Sequence, residues 1–143
     1  MALLEKFFGL KEVDNLASEL LPHVKNARIV TFSGPLGAGK TTLIRALAQA
    51  LGILTPVTSP TFAYLSTHQI NDGQSLYHFD LYRLNSINSF YESGFDEYLY
   101  LPQSKVFIEW PEIITDILPA ERLNIVLDYV ESDSKKRLIT VFE

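Results

Sequence analysis

Residues Gly34-Pro35-Leu36-Gly37-Ala38-Gly39-Lys40-Thr41 spell G-x-x-x-x-G-K-T, the pattern of a phosphate-binding loop, and no other feature constrains this chain as strongly. Before it, Arg28-Ile29-Val30-Thr31-Phe32 is a β-branched and aromatic run that reads as a strand. After it, Leu43, Ala46, Leu47, Ala50 and Leu51 recur at helical spacing over residues 42–51, and Gly52 ends the run. Strand, glycine loop and helix is the context that gives the pattern a mechanism. Gly34, Gly37 and Gly39 let backbone N–H groups turn inward beside Leu36 and Ala38, and the helix N-terminus adds partial positive charge. Lys40 is placed for the β- and γ-phosphates, and the Thr41 hydroxyl for Mg²⁺. A glycine-rich turn without a ligand gives no reason for the Lys-Thr pair. The expected ligand is therefore a nucleotide.

Size and charge narrow the possibilities. At 143 residues, with 47% hydrophobic and 20% charged residues, the chain is expected to form one domain over 1–143. A net charge of −5 disfavours direct grip on a nucleic-acid backbone, which needs a basic face. The one tight basic cluster, Lys135-Lys136-Arg137, follows Glu131 and Asp133 and reads as a solvated hairpin turn. There is no cysteine, which removes thiolate metal sites and cysteine nucleophiles. No apolar stretch reaches membrane-spanning length and the first residues do not follow a signal-peptide order, so no membrane partner and a cytoplasmic location are expected.

Periodicity supplies the remaining elements. Val13, Leu16, Ala17, Leu20, Leu21 and Val24 form one helical stripe, and Pro22 predicts a kink or an end nearby. Phe62 to Ile70, an Asn71-Asp72-Gly73 turn and Ser75 to Asp80 predict a β-hairpin. Residues 86–92 are a short helix candidate, and Val106-Phe107-Ile108 is a buried strand. Alternation at Leu123, Ile125, Leu127 and Tyr129, then at Leu138, Thr140 and Phe142, predicts a second hairpin. The expected fold is α/β, a P-loop NTPase-like domain with a mixed sheet flanked by helices.

Hydrolysis needs acids around the metal. Asp80 closes the strand Leu76-Tyr77-His78-Phe79, and Glu109 closes Lys105-Val106-Phe107-Ile108. Ligands of open α/β sheets collect at the carboxyl ends of strands, so either acid can face Mg²⁺ and the γ-phosphate. Glu109 fits the apolar-run-then-acid form better. An acid that merely marks a strand end is the plainer alternative for each.

Five strings around this loop are similar to one family. They are Gly-Ala-Gly-Lys-Thr-Thr at 37–42, Ser-Pro-Thr-Phe at 59–62, His-Phe-Asp-Leu-Tyr-Arg-Leu at 78–84, Gly-Phe-Asp-Glu-Tyr-Leu at 94–99 and Ile-Glu-Trp-Pro-Glu at 108–112. In this order and spacing the chain resembles the TsaE (YjeE) family of small bacterial P-loop ATPases, which serve threonylcarbamoyladenosine modification of tRNA. It departs from the family at Pro35, where an acidic residue is usual. The resemblance implies Thr41, Asp80 and Glu109 as the Mg²⁺ and catalytic cluster, with Lys40 and Thr42 on the phosphates of ATP. It also implies a γ-phosphate-sensing switch at Ser59-Pro60-Thr61, where a plain polar turn is the alternative. The implied partners are TsaD and TsaB, with tRNA reached indirectly through their complex.

Some residues stay open at this level. Trp110 fills core or lies with one edge near the nucleotide. Arg83 stabilises transferred charge or pairs with Asp96 or Glu97. Phe7-Phe8 caps the core or lines an adenine pocket. His23, His68 and His78 do not share metal-ligand spacing, and only His78 falls near the expected chemistry. The absence of an Asn-Lys-x-Asp segment favours ATP over GTP. Two other functions remain possible, a small-molecule kinase and a nucleotide-sensing binding protein. With five scattered arginines and no arginine-bearing lid, the kinase is the weaker.

Overall fold

A computed structural model describes residues 2–58, 60 and 63–143. The sheet is built on β2 (Ile29–Ser33), whose first four residues are buried, as the β-branched run requires. It lies between β5 (Ser104–Glu109) and β6 (Leu123–Tyr129), parallel to both. β4 (Ser75–Asp80) adds in parallel to β5, and β3 (Leu65–Gln69) closes that edge antiparallel to β4. On the other side β7 (Lys136–Phe142) and β1 (Ala2–Gly9) add antiparallel strands. The seven strands run β1-β7-β6-β2-β5-β4-β3, the mixed sheet that the sequence predicts.

Helices cover both faces. α1 (Val13–Asn26) buries Val13, Leu16, Ala17, Leu20 and Val24, and packs with α2 (Lys40–Ala50) on one face. α3 (Ile87–Glu92), with Ser86 accepting the Ser89 N–H at its start, covers the other face together with 3-10 turns at Phe95–Leu99 and Pro111–Ile117. Phe79, Phe90 and Phe95 meet there with ring centroids 5.3–5.8 Å apart.

Several expectations need correction. α1 does end near Pro22, at Asn26 one turn later, but its end is capped from a distant strand that spacing did not suggest. The Lys105 amine donates to Val24 O at 2.6 Å and also to the Ala27 carbonyl, so a strand residue caps the helix. Residues 2–9 were given no element by periodicity, yet they form β1, whose partner β7 lies more than 120 residues away in sequence. α2 begins at Lys40, inside the motif, rather than at residue 42. β3 starts at Leu65, after Tyr64 at φ 61°, rather than at residue 62. Among the described residues no helix is long and apolar enough to cross a membrane.

Candidate functional site

The motif folds as its residue types demand. Gly34 (φ 145°) lies so close to β6 that a Cβ would stand 2.2 Å from the Leu127 carbonyl oxygen, so only glycine passes here. Gly39, at φ 102°, turns the chain directly into α2. Leu36, Gly37, Ala38, Gly39, Lys40, Thr41 and Thr42 line a cavity of about 310 Å³ together with Asp80, Tyr82, Glu109 and Trp110. The expected residues of the loop and of two strand ends thus converge on one cavity. Gly34 supports it from beneath. Ser59 and Thr61 lie outside the described residues.

Lys40 is 6% exposed and faces back into the loop, donating to Gly34 O and, at 3.1 Å, to Pro35 O. Its ammonium stands 3.8 Å from the Trp110 ring centroid. Burial lowers the Lys40 pKa, while the carboxylates of Glu109, Glu112 and Asp80 push it up. Trp110 is therefore beside the 34–41 loop and also packs on the second core cluster, so its position is compatible with both sequence readings. The backbone holds it there at φ 58°, with its N–H on the Phe32 carbonyl at 3.2 Å, and Tyr82 packs on its ring at 4.8 Å between centroids.

The two acids share a rung, Asp80 opposite Glu109 on neighbouring parallel strands, but their surroundings differ. Glu109 is 2% exposed. One of its oxygens accepts from the Thr41 hydroxyl at 2.8 Å and the other pairs with His78 Nε2 at 2.7 Å. His78 is fully buried, and its Nδ1 has no hydrogen-bond partner. With Nδ1 bare, the geometry favours the tautomer whose Nε2–H donates to Glu109. Asp80 is half-buried and, among the described residues, accepts only the Tyr82 N–H, at 3.1 Å. Its pKa is raised, chiefly by burial and further by Glu109, against the Tyr82 hydrogen bond, His78 and Lys40, which lower it.

Three contributors escaped the sequence reading: His78 as the partner of Glu109, Tyr82 on Trp110, and Tyr129, whose hydroxyl donates to the Leu36 carbonyl. The spacing of 78 and 80 on one strand face is a signal that could have found the first. The other two depend on contacts between distant segments.

A second cavity of about 620 Å³ joins the first at Gly37–Gly39 and Thr42, and Phe8, Val13 and Lys136 also line it. Phe8, 4% exposed, both packs in the core and faces this cavity, whereas Phe7 is exposed. Another cavity, of about 760 Å³, lies at the other end of the sheet beside Arg28 and Arg122, away from the motif.

Residues 9–139 match the family model for "Threonylcarbamoyl adenosine biosynthesis protein TsaE". A tRNA threonylcarbamoyladenosine biosynthesis protein TsaE of Bacillus subtilis is 36% identical over 131 residues, 91% of this chain and 80% of that protein. Its counterpart from Haemophilus influenzae is 37% identical over 132 residues, 92% and 80% of the two chains. Among solved structures, the crystal structure of Bacillus subtilis YdiB superposes with a TM-score of 0.66 at 29% identity, covering 99% of this chain and 86% of that one.

Proposed function

Since the chain belongs to the TsaE family, whose members take part in threonylcarbamoyladenosine biosynthesis on tRNA, we propose that it is the ATP-hydrolysing component of that process. It would bind MgATP at the 34–42 loop and act on a complex of TsaB and TsaD in the cytoplasm. The supporting observation is the buried chain of contacts from Thr41 through Glu109 to His78, set beside a more accessible Asp80.

The residues suit Mg²⁺. This ion prefers hard oxygen ligands and usually takes one or two carboxylates plus substrate phosphates rather than an all-protein cage. Thr41 and Asp80 offer a hydroxyl and a carboxylate, and among the described residues no group of three or more His, Cys, Asp or Glu could hold a metal alone. The bound ion would neutralise charge on the β- and γ-phosphate oxygens.

The two acids would divide the work. Glu109 already accepts a hydrogen bond on each oxygen, so it acts through Thr41, accepting the hydroxyl's hydrogen bond and orienting its oxygen toward the site of the metal. Asp80 faces the cavity and orients the attacking water or a metal-bound one. Lys40 exchanges the carbonyls of Gly34 and Pro35 for phosphate oxygens, while Thr42 and the loop N–H groups complete the cradle. The adjoining cavity, with Phe8 and Val13 as apolar walls, suits the purine base.

No arginine lines the phosphate cavity among the described residues, and the Arg45 Nε donates to the Val57 carbonyl at 3.0 Å. An arginine finger is worth on the order of 10³–10⁵ in rate, so hydrolysis by the isolated chain should be slow. Steady-state phosphate release from the pure protein, then with added TsaB–TsaD complex, tests the proposal. Slow basal turnover that rises with the complex is expected. Fast turnover indifferent to the complex would refute the partner requirement, and failure to bind ATP would refute the whole reading.

A further inference from the structure

The nucleotide loop contains a turn whose orientation is set from outside it. Ala38 N–H donates to Pro35 O at 3.1 Å, closing a β-turn over residues 35–38. Gly37, its third residue, has φ 79°, the signature of a type II turn. Type I and type II turns differ mainly by a flip of the central peptide, here the one joining Leu36 to Gly37. Glycine tolerates either sign of φ, so nothing within the turn blocks the flip.

A contact from β6 does. Tyr129, the last residue of β6, donates its hydroxyl to the Leu36 carbonyl, the acceptor of that central peptide. A trans peptide is planar, so pinning the carbonyl toward β6 sends the Gly37 N–H the opposite way. The Tyr129 ring is itself held. The Arg137 guanidinium stands 4.9 Å from its centroid and is anchored by donation to the carbonyls of Ser134 and Lys136, both at 2.9 Å. A Cβ on Gly37 would approach the Tyr129 hydroxyl to 3.3 Å, so the two residues are fitted to each other.

We propose that Tyr129 is a positioning residue for nucleotide binding, whose hydroxyl selects the turn orientation in which the Gly37 N–H is available to a phosphate oxygen. This rests on the nucleotide-binding reading above. Arg137 acts through Tyr129 by fixing its ring. The β6–β7 hairpin, read from sequence as a solvated turn, thereby becomes part of the phosphate loop's support.

Tyr129→Phe removes the hydroxyl and keeps the ring under Arg137. Two measurements on it separate this inference from the one it rests on. In the nucleotide-free protein, the Gly37 amide gives one sharp nitrogen–proton resonance in the wild type, and in Tyr129→Phe it is expected to shift and broaden or split as both turn orientations become populated. By calorimetry, MgADP is expected to bind the variant about five- to tenfold more weakly, the range of one lost hydrogen bond, while the thermal midpoint of the free protein falls by no more than about 5 °C. Arg137→Gln should give the same signs at smaller size. A Gly37 resonance identical to wild type, or MgADP affinity equal to wild type, would overturn the assignment. Wild-type protein that ignores MgADP would instead overturn the nucleotide reading, while the Gly37 resonance would still decide whether Tyr129 sets the turn.

Discussion

Replacing Glu109 should show whether the buried contact chain holds the site together. Glu109→Ala removes the one partner of a fully buried imidazole. His78 Nδ1 already lacks a partner, so Nε2 would join it and the whole ring edge would be without a hydrogen bond. A buried donor left unmade costs about 1–3 kcal/mol. The void left by a side chain only 2% exposed adds to that, for about 2–4 kcal/mol in all. In a chain of this size such a loss lowers the thermal midpoint by about 10 °C. Glu109→Gln keeps the shape but offers one oxygen and one amide where two acceptors are needed, so about 1 kcal/mol is expected.

Stability alone would not prove the contact, since truncating any buried residue destabilises. A double-mutant cycle with His78→Phe isolates it, because the phenyl ring fills the space and asks for no partner. In that background Glu109→Ala should cost about 1–3 kcal/mol less than in the wild type. Urea denaturation of the four nucleotide-free proteins measures the coupling. Strictly additive costs would refute the inferred pair.

Lys40→Ala should weaken MgADP binding by removing the charge that meets the phosphates, and MgATP should change Trp110 fluorescence in the wild type but not in this variant; an emission spectrum unmoved by saturating MgATP would contradict the Lys40–Trp110 placement. Asp80→Asn should raise the thermal midpoint of the nucleotide-free protein near pH 7 while lowering ATP turnover, because a carboxyl whose pKa is raised is one the fold would rather hold neutral. A lower midpoint in Asp80→Asn would reverse that sign. Burial brings Lys105 down to about 8 from 10.5, so between those values the unfolded chain holds the extra proton and stability rises with pH. The urea midpoint of the wild type relative to Lys105→Met should therefore climb from pH 8 to 10, whereas a constant difference would show that Lys105 does not titrate there.

What was legible in the sequence was what local order encodes. The strand, the loop and the helix follow one another without a break from Ile29 to Ala50, so spacing alone announced them. The hairpin strands and the apolar run before Glu109 were visible for the same reason. β1 was not, because its Leu3-Leu4-Glu5-Lys6-Phe7-Phe8 run does not alternate and its pairing with β7 closes almost the whole chain. The cap on the end of α1 was hidden likewise, since the amine that supplies it belongs to residue 105.

The acids mark the limit most clearly. Spacing put Asp80 and Glu109 at two strand ends and favoured Glu109 for its apolar run, without deciding which is the main catalytic acid. On adjacent strands they face one another, and two carboxylates sharing a rung repel, so Glu109 adds to the burial that raises the Asp80 pKa. His78 breaks that symmetry. It lies two residues before Asp80 on the same face of β4 and diagonally across from Glu109, so its Nε2 engages one acid and not the other. Glu109 is held as a buried carboxylate between His78 and Thr41, and Asp80 is left, among the described residues, with a single backbone donor at the cavity. The sequence signal for this division is one histidine at the i−2 position of the strand. Without the neighbouring strand it reads as an ordinary core residue, because the carboxylate that gives it meaning is 31 residues away.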